Sequence, residues 1–188
     1  MIDFLDKGWM ELKGTFKLVY VSLLTALGIV LHIVEYNIPI PVSFPGAKLG
    51  LANIASLLTI VIYGPATGIV VSVLRAILGA FLTGGIASLP YSLSGAVLST
   101  VVMWLSIIVL RDRLSLIGVS VIGSAAHLIA QLLVASIILD NFRIFAYMPI
   151  LLMLGTVTGY FNGMVANISV KILKYNLNRQ KKIRGNTK

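Results

Sequence analysis

Apolar residues fill most of this chain in long blocks, and only short polar or Gly/Pro-containing stretches separate them. Read as helices, the blocks predict six membrane spans, at residues 18–34, 47–63, 66–82, 87–110, 114–139 and 147–172. Each lies near the roughly 17–25 residues that a helix needs to cross hydrocarbon, and the later ones are long enough to tilt. The second is the shortest. After Lys48 its apolar stretch is about 15 residues, and at about 1.5 Å per residue this falls short of a core about 30 Å thick unless the helix starts ahead of the lysine. Upstream of the first block, Leu5, Trp9, Leu12 and Phe16 recur at helical spacing, with Asp6, Lys7, Glu11, Lys13 and Lys17 off their stripe. That pattern predicts an amphipathic helix lying in the headgroup region, as an interfacial anchor or a docking face for a partner. It does not read as a signal peptide, because no short apolar region is followed by a small-residue cleavage site. The expected organisation is an interfacial segment over 1–17, an all-α polytopic membrane domain of six helices over 18–172 and a basic cytoplasmic tail over 173–188.

The connections are unequal. Tyr63-Gly64-Pro65 and Arg111-Asp112-Arg113 are minimal turns on one side. On the other, residues 35–46 carry Pro39, Pro41 and Pro45, which hold the loop extended and stop the flanking helices from invading it. The third loop at Thr83-Gly84-Gly85 and the fifth at residues 140–146 lie on that same side, so loop mass, and with it the expected ligand site, gathers there.

Composition agrees with a bilayer environment. Of 188 residues, 58% are apolar and 11% charged, and mean hydropathy is +0.99; a soluble domain averages about 25% charged residues. There are no cysteines, which removes disulfides, thiolate metal sites and a cysteine nucleophile, and two histidines are too few for a histidine-rich metal cage. The net charge of +9 would suggest nucleic acid in a soluble protein. Here it reads as a topology signal, and no nucleic-acid partner is expected. Lys7, Lys13, Lys17, Arg111, Arg113, Lys171, Lys174, Arg179, Lys181, Lys182, Arg184 and Lys188 all fall on the side of the termini, against Lys48 and Arg143 on the other. The excess of basic residues marks that side as cytoplasmic. The C-terminal basic run is suited to anionic lipid at the membrane surface.

Polar residues inside the blocks carry the candidate chemistry, because each is costly in lipid and seldom faces it. Arg75 falls near mid-membrane and needs a partner. His127 and Gln131 are four apart and share one helix face; His32 and Glu35 share another, and Lys48 and Asn53 open the second block. Ordered by depth, these residues predict a funnel from the outer surface to the midplane, suited to a polar or anionic headgroup. Each also has a structural reading: His127 and Gln131 as clasps between helices, Glu35 and Lys48 as solvated loop charges, Asn162 and Asn167 as interhelical hydrogen bonds. Gly155, Gly159 and Gly163, like Ala76/Ala80 and Ala126/Ala130, repeat every four residues and predict close helix packing. Ser22 and Ala26 form a smaller stripe that could face another subunit. There is no Gly-x-x-x-x-Gly-Lys-Ser/Thr loop for ATP and no pair of neighbouring carboxylates for acid–base or magnesium-diphosphate chemistry. No cofactor is called for, and no enzyme active site is visible.

Three segments carry a resemblance: Pro45-Gly46-Ala47-Lys48-Leu49-Gly50-Leu51-Ala52-Asn53-Ile54, Ser72-Val73-Leu74-Arg75, and Gly118-Val119-Ser120-Val121 leading into Ala126-His127-Leu128-Ile129-Ala130-Gln131. Over about residues 18–172 the chain resembles the Gx transporter family, also labelled heptaprenyl diphosphate synthase component I, which is similar in design to the substrate-binding S components of energy-coupling-factor (ECF) transporters. The resemblance implies an S-component-like bundle in a bacterial-type cytoplasmic membrane, with a pocket facing outward. It further implies a coupling transmembrane subunit and ATPases as partners, membrane lipid around them, and a small or amphiphilic substrate. S components often carry an Ala-x-x-x-Ala stripe on the first helix, where Ser22, Ala26 and then Val30 stand here. Prenyl synthases are similar to one another in Asp-Asp-x-x-Asp motifs, which this chain lacks. The synthase label and neighbouring family members leave a second expectation open: a non-catalytic membrane component of a polyprenyl- or quinone-linked system, with a flavoprotein partner.

Overall fold

The computed structural model describes residues 14–38, 48–110 and 113–185. Among these the chain is all-helical: α1 (Thr15–Tyr36), α2 (Asn53–Tyr63), α3 (Pro65–Leu82), α4 (Leu89–Val109), α5 (Leu116–Ile138) and α6 (Met148–Gly185), with short 3-10 turns at Ile86–Ser88 and Phe142–Tyr147. Five of these helices are long and apolar enough to cross a membrane. The sixth, α2, has only 11 residues. Leu5, Trp9 and Leu12 of the amphipathic stripe lie outside the described residues, as do Pro39, Pro41, Pro45, Arg111 and Asp112. Phe16 and Lys17 belong to the first turn of α1 and are exposed. At the other terminus the helix continues without a break from the last apolar block into the basic segment as far as Gly185.

The outer faces of the long helices keep the apolar surface a bilayer requires. On α1, Leu18, Leu23, Leu27, Val30 and Val34 are exposed, while Gly28, His32 and Glu35 turn inward. A helix flanked by lipid on one side and protein on the other sorts its residues this way, since polar groups find partners only inside. The short helix behaves differently. Ten of the 11 residues of α2 are buried, and it packs on all five other helices. A helix apolar on every face belongs in the middle of a bundle. Its Ile54, Leu57, Leu58, Ile60 and Val61 form a core with Met103 and Ile107 of α4, Val119 of α5, and Ala166 and Val170 of α6.

The small-residue repeats act as packing surfaces. A Cβ on Gly159 would stand 2.8 Å from the Cα of Val121, and one on Gly163 2.4 Å from the Cα of Ile117, so α6 lies backbone to backbone on α5. In lipid, where apolar burial does not drive helices together, such approach supplies the association energy. Between α2 and α3 the chain reverses in a single residue: Gly64 takes φ 92°, open to glycine, and Pro65 starts α3 with its fixed φ and no N–H left without a partner.

The second predicted span is corrected by the structure. Residues 48–50 have no regular secondary structure and α2 starts only at Asn53, so Lys48 does not open a helix. The described passage consists of a short non-helical segment and a helical half. Depth follows from the neighbours: Ile60 meets Gly68 near the start of α3, whereas Asn53 meets Arg75 ten residues into it, so α2 reaches only to mid-depth.

Candidate functional site

Non-helical backbone at membrane depth must find hydrogen-bond partners within the protein, because lipid offers none. Here side chains from three other helices supply several of them. Gln131 of α5 accepts the N–H of Lys48 through Oε1 at 3.2 Å. Thr158 of α6 donates to the carbonyl of Leu49 at 3.0 Å, and Asn162, one turn on, donates to the carbonyl of Gly50 at 2.9 Å. Glu35 of α1 accepts from the N–H groups of both Gly50 and Leu51 through one carboxylate oxygen. Gly50 holds φ 86°, and a Cβ there would stand 2.6 Å from Asn53 Nδ2, so glycine suits both the turn and the space. The first N–H groups of α2 close on the carbonyls of Gly50, Leu51 and Ala52.

Two buried cations lie at this segment, Lys48 within it and Arg75 beside the start of α2. Lys48 Nζ lies 2.7 Å from His32 Nε2, donates to Ser92 Oγ at 2.8 Å and reaches Ser88 Oγ at 3.4 Å. Deeper in the bundle, Arg75 donates to Asn53 Oδ1 at 2.6 Å and to Ser56 Oγ at 3.3 Å, and Ser99 Oγ donates to the same Asn53 oxygen at 3.2 Å. His127 Nε2 pairs with Gln131 Nε2 at 3.0 Å, the histidine ring filling the space left by Gly95. The His32 ring does the same against Gly79, and the Arg75 stem against Gly28. These glycines face the polar side chains, so they make room for the cluster rather than for another backbone.

The seven residues read from the sequence, His32, Glu35, Lys48, Asn53, Arg75, His127 and Gln131, therefore converge, though not as an open funnel. Each is at most 3% exposed, and all but Glu35, which holds the backbone of Gly50 and Leu51, bond within the set. The solvated-loop reading of Glu35 and Lys48 is corrected with it: both are buried, since the carboxylate accepts two backbone N–H groups ahead of α2 and the ammonium sits among three side chains. Asn162 makes the buried bond expected of it, but to the non-helical backbone at Gly50.

Ser22 and Ala26 lie elsewhere. Both are exposed and line an apolar groove of ≈ 630 Å³ between α1 and α3, with Val21, Ile29, Val70 and Leu74.

The model of a family described as heptaprenyl diphosphate synthase component I matches residues 24–169. The chain belongs to that family. Its bundle is also similar to a solved structure described as the S component of a bacterial ECF transporter, at 20% identity and a TM-score of 0.54, over 90% of this chain and 99% of that one. No curated protein matches the chain. This member of the component I family thus has an S-component fold and is a multi-pass membrane protein.

Sequence reasoning missed Ser56, Ser88, Ser92, Ser99 and Thr158. A signal for three of them was present: Ser88, Ser92 and Ser99 are spaced four and seven apart, with Gly95 between, and so share one face from the turn ahead of α4 to the middle of that helix. Serine is common enough in membrane helices that the stripe stands out only when a cation is known to face it.

Proposed function

We propose that this protein is a non-enzymatic, substrate-binding membrane subunit of ECF type, taking a small or amphiphilic substrate from the outer side of a bacterial-type cytoplasmic membrane. One observation carries the reading: α2 starts only at mid-depth, after a non-helical segment, and polar side chains from α1, α3, α4 and α5 converge on that junction. Non-helical backbone and helix ends at the bilayer midplane are where transporters build substrate sites, because they offer polar groups that lipid does not. His32, Glu35, Lys48, Asn53, Arg75, His127 and Gln131 form the proposed site. In this reading the basic residues place both termini in the cytoplasm, and the loop end of the bundle, where α1 ends and α4 begins, faces outward.

The groove at Ser22 and Ala26 is the proposed seat of a coupling transmembrane subunit, whose ATPases would energise release inward. Small exposed residues let a partner helix approach closely. Ser22→Leu combined with Ala26→Leu should abolish co-purification with the coupling subunit and ATPases while leaving the melting temperature within a few degrees of wild type. Retention of the partners by this double variant would remove the groove from the interface. The family's description as a synthase component favours a second reading, a non-catalytic membrane subunit of a polyprenyl-linked system. Native mass spectrometry of gently extracted protein separates the two, by an ATPase partner or a prenyl-lipid adduct.

A further inference from the structure

The polar cluster is short of one negative charge, and its Asn53 Nδ2 is short of a hydrogen-bond acceptor; His127 Nδ1 is its other buried polar atom without a hydrogen bond. Lys48 and Arg75 bring two buried cations, and Glu35 brings one carboxylate. The other acid among the described residues, Asp140, is exposed beyond the end of α5. Both cations rest on neutral groups. Ser88 gives its own proton to the carbonyl of Gly85 at 2.7 Å, so toward Lys48 it can only accept. Asn53 turns its Oδ1 to Arg75 and Ser99, which leaves its Nδ2, on a side chain only 2% exposed, without any acceptor. Native proteins seldom leave a buried donor unmade, and a buried cation without a counter-charge is costlier still.

One missing group answers both deficits. We propose that the ligand presents an oxygen acid of single negative charge, a carboxylate or a phosphate diester, which accepts from Asn53 Nδ2 and neutralises the cationic excess of Lys48 and Arg75. The proposal rests on the reading of this cluster as the substrate site and names the substrate class. A soluble carboxylate and the headgroup of an anionic lipid share this chemistry, and an uncharged analogue lacks it.

The test uses the full-length protein in a neutral detergent. Asn53→Asp replaces the orphan donor by an acceptor and adds the missing charge beside Arg75. N53D should melt about 2–4 °C above wild type, whereas N53L, neutral and of similar size, should melt below it. In wild type, one anionic member of two matched pairs should raise the melting temperature more than its partner: sodium benzoate against benzamide at equal ionic strength, or phosphatidylglycerol against phosphatidylcholine. The first pair marks a soluble source and the second a lipid, and N53D should respond to neither. The inference is overturned if N53D folds but melts at or below wild type, or if neither anion exceeds its neutral partner; should N53D not assemble, the paired ligands decide alone. Retained co-purification with the coupling subunit in that event would leave the S-component reading standing and only its substrate class refuted.

Discussion

Gln131 ties the polar cluster to the backbone. Its oxygen holds the N–H of Lys48, 83 positions away in sequence, while its nitrogen meets His127 on the next turn of α5. The sequence offered two readings of this residue, a ligand contact or a clasp between helices; in the structure its oxygen clasps the non-helical backbone at Lys48. Gln131→Met keeps the length of the side chain and removes the acceptor, which leaves a buried N–H unpaired. The expected loss is about 1–3 kcal/mol of stability, measurable by reversible unfolding in detergent micelles. A stability equal to wild type would mean that Lys48 N–H has another partner. Arg75 differs, because its contacts are to side chains that themselves face inward, and a substitution there changes the charge of the cluster more than its backbone support.

At the scale of the element, the second passage is held in a conformation it would not keep alone. A helix of 11 residues is marginal by itself, and non-helical backbone in a bilayer is forbidden without partners. Glu35 joins the two parts, because its carboxylate accepts both Gly50 N–H and Leu51 N–H at the turn that leads into the helix. Glu35→Gln retains an oxygen that can accept both bonds, and Glu35→Ala retains none. The alanine variant should therefore be less stable than the glutamine variant by about 1–3 kcal/mol for each N–H left unmade. Limited proteolysis between residues 38 and 53 should then be faster in Glu35→Ala than in Glu35→Gln. Equal cleavage of the two would show that the charge, and not the hydrogen bonds, holds the segment.

At the scale of the molecule, the arrangement is a shell of five long helices around a short one, with the polar cluster at the tip of the short helix, where the apolar core around α2 stops. The proposed orientation, with the more basic end in the cytoplasm, is directly testable. Single cysteines are informative because the chain has none of its own. Cysteines replacing Arg113 and Asn186 should react with an impermeant thiol reagent only from the cytoplasm, and one replacing Pro41 only from outside. Labelling of the Pro41 position from the cytoplasm alone would invert the proposed direction of substrate entry.

Membrane residence, most of the helix boundaries and the inward turn of His32, Asn53, Arg75, His127 and Gln131 were legible in the sequence, because each depends on local length and on the cost of exposing a polar group to lipid; Glu35 and Lys48 could equally have been solvated loop charges. The small-residue stripe on α6 was legible for the same reason, since its spacing alone sets which face can approach a neighbour. Even the weakness of the second span showed, in its few apolar residues after Lys48. What took its place did not. The non-helical segment around residues 48–51 has no local pattern to announce it, and it is stable only because Glu35, Gln131, Thr158 and Asn162 reach it from positions 15, 83, 109 and 112 residues distant. A backbone group in lipid must be paired, but the sequence does not say by whom, and that choice was made when α1, α5 and α6 closed around α2.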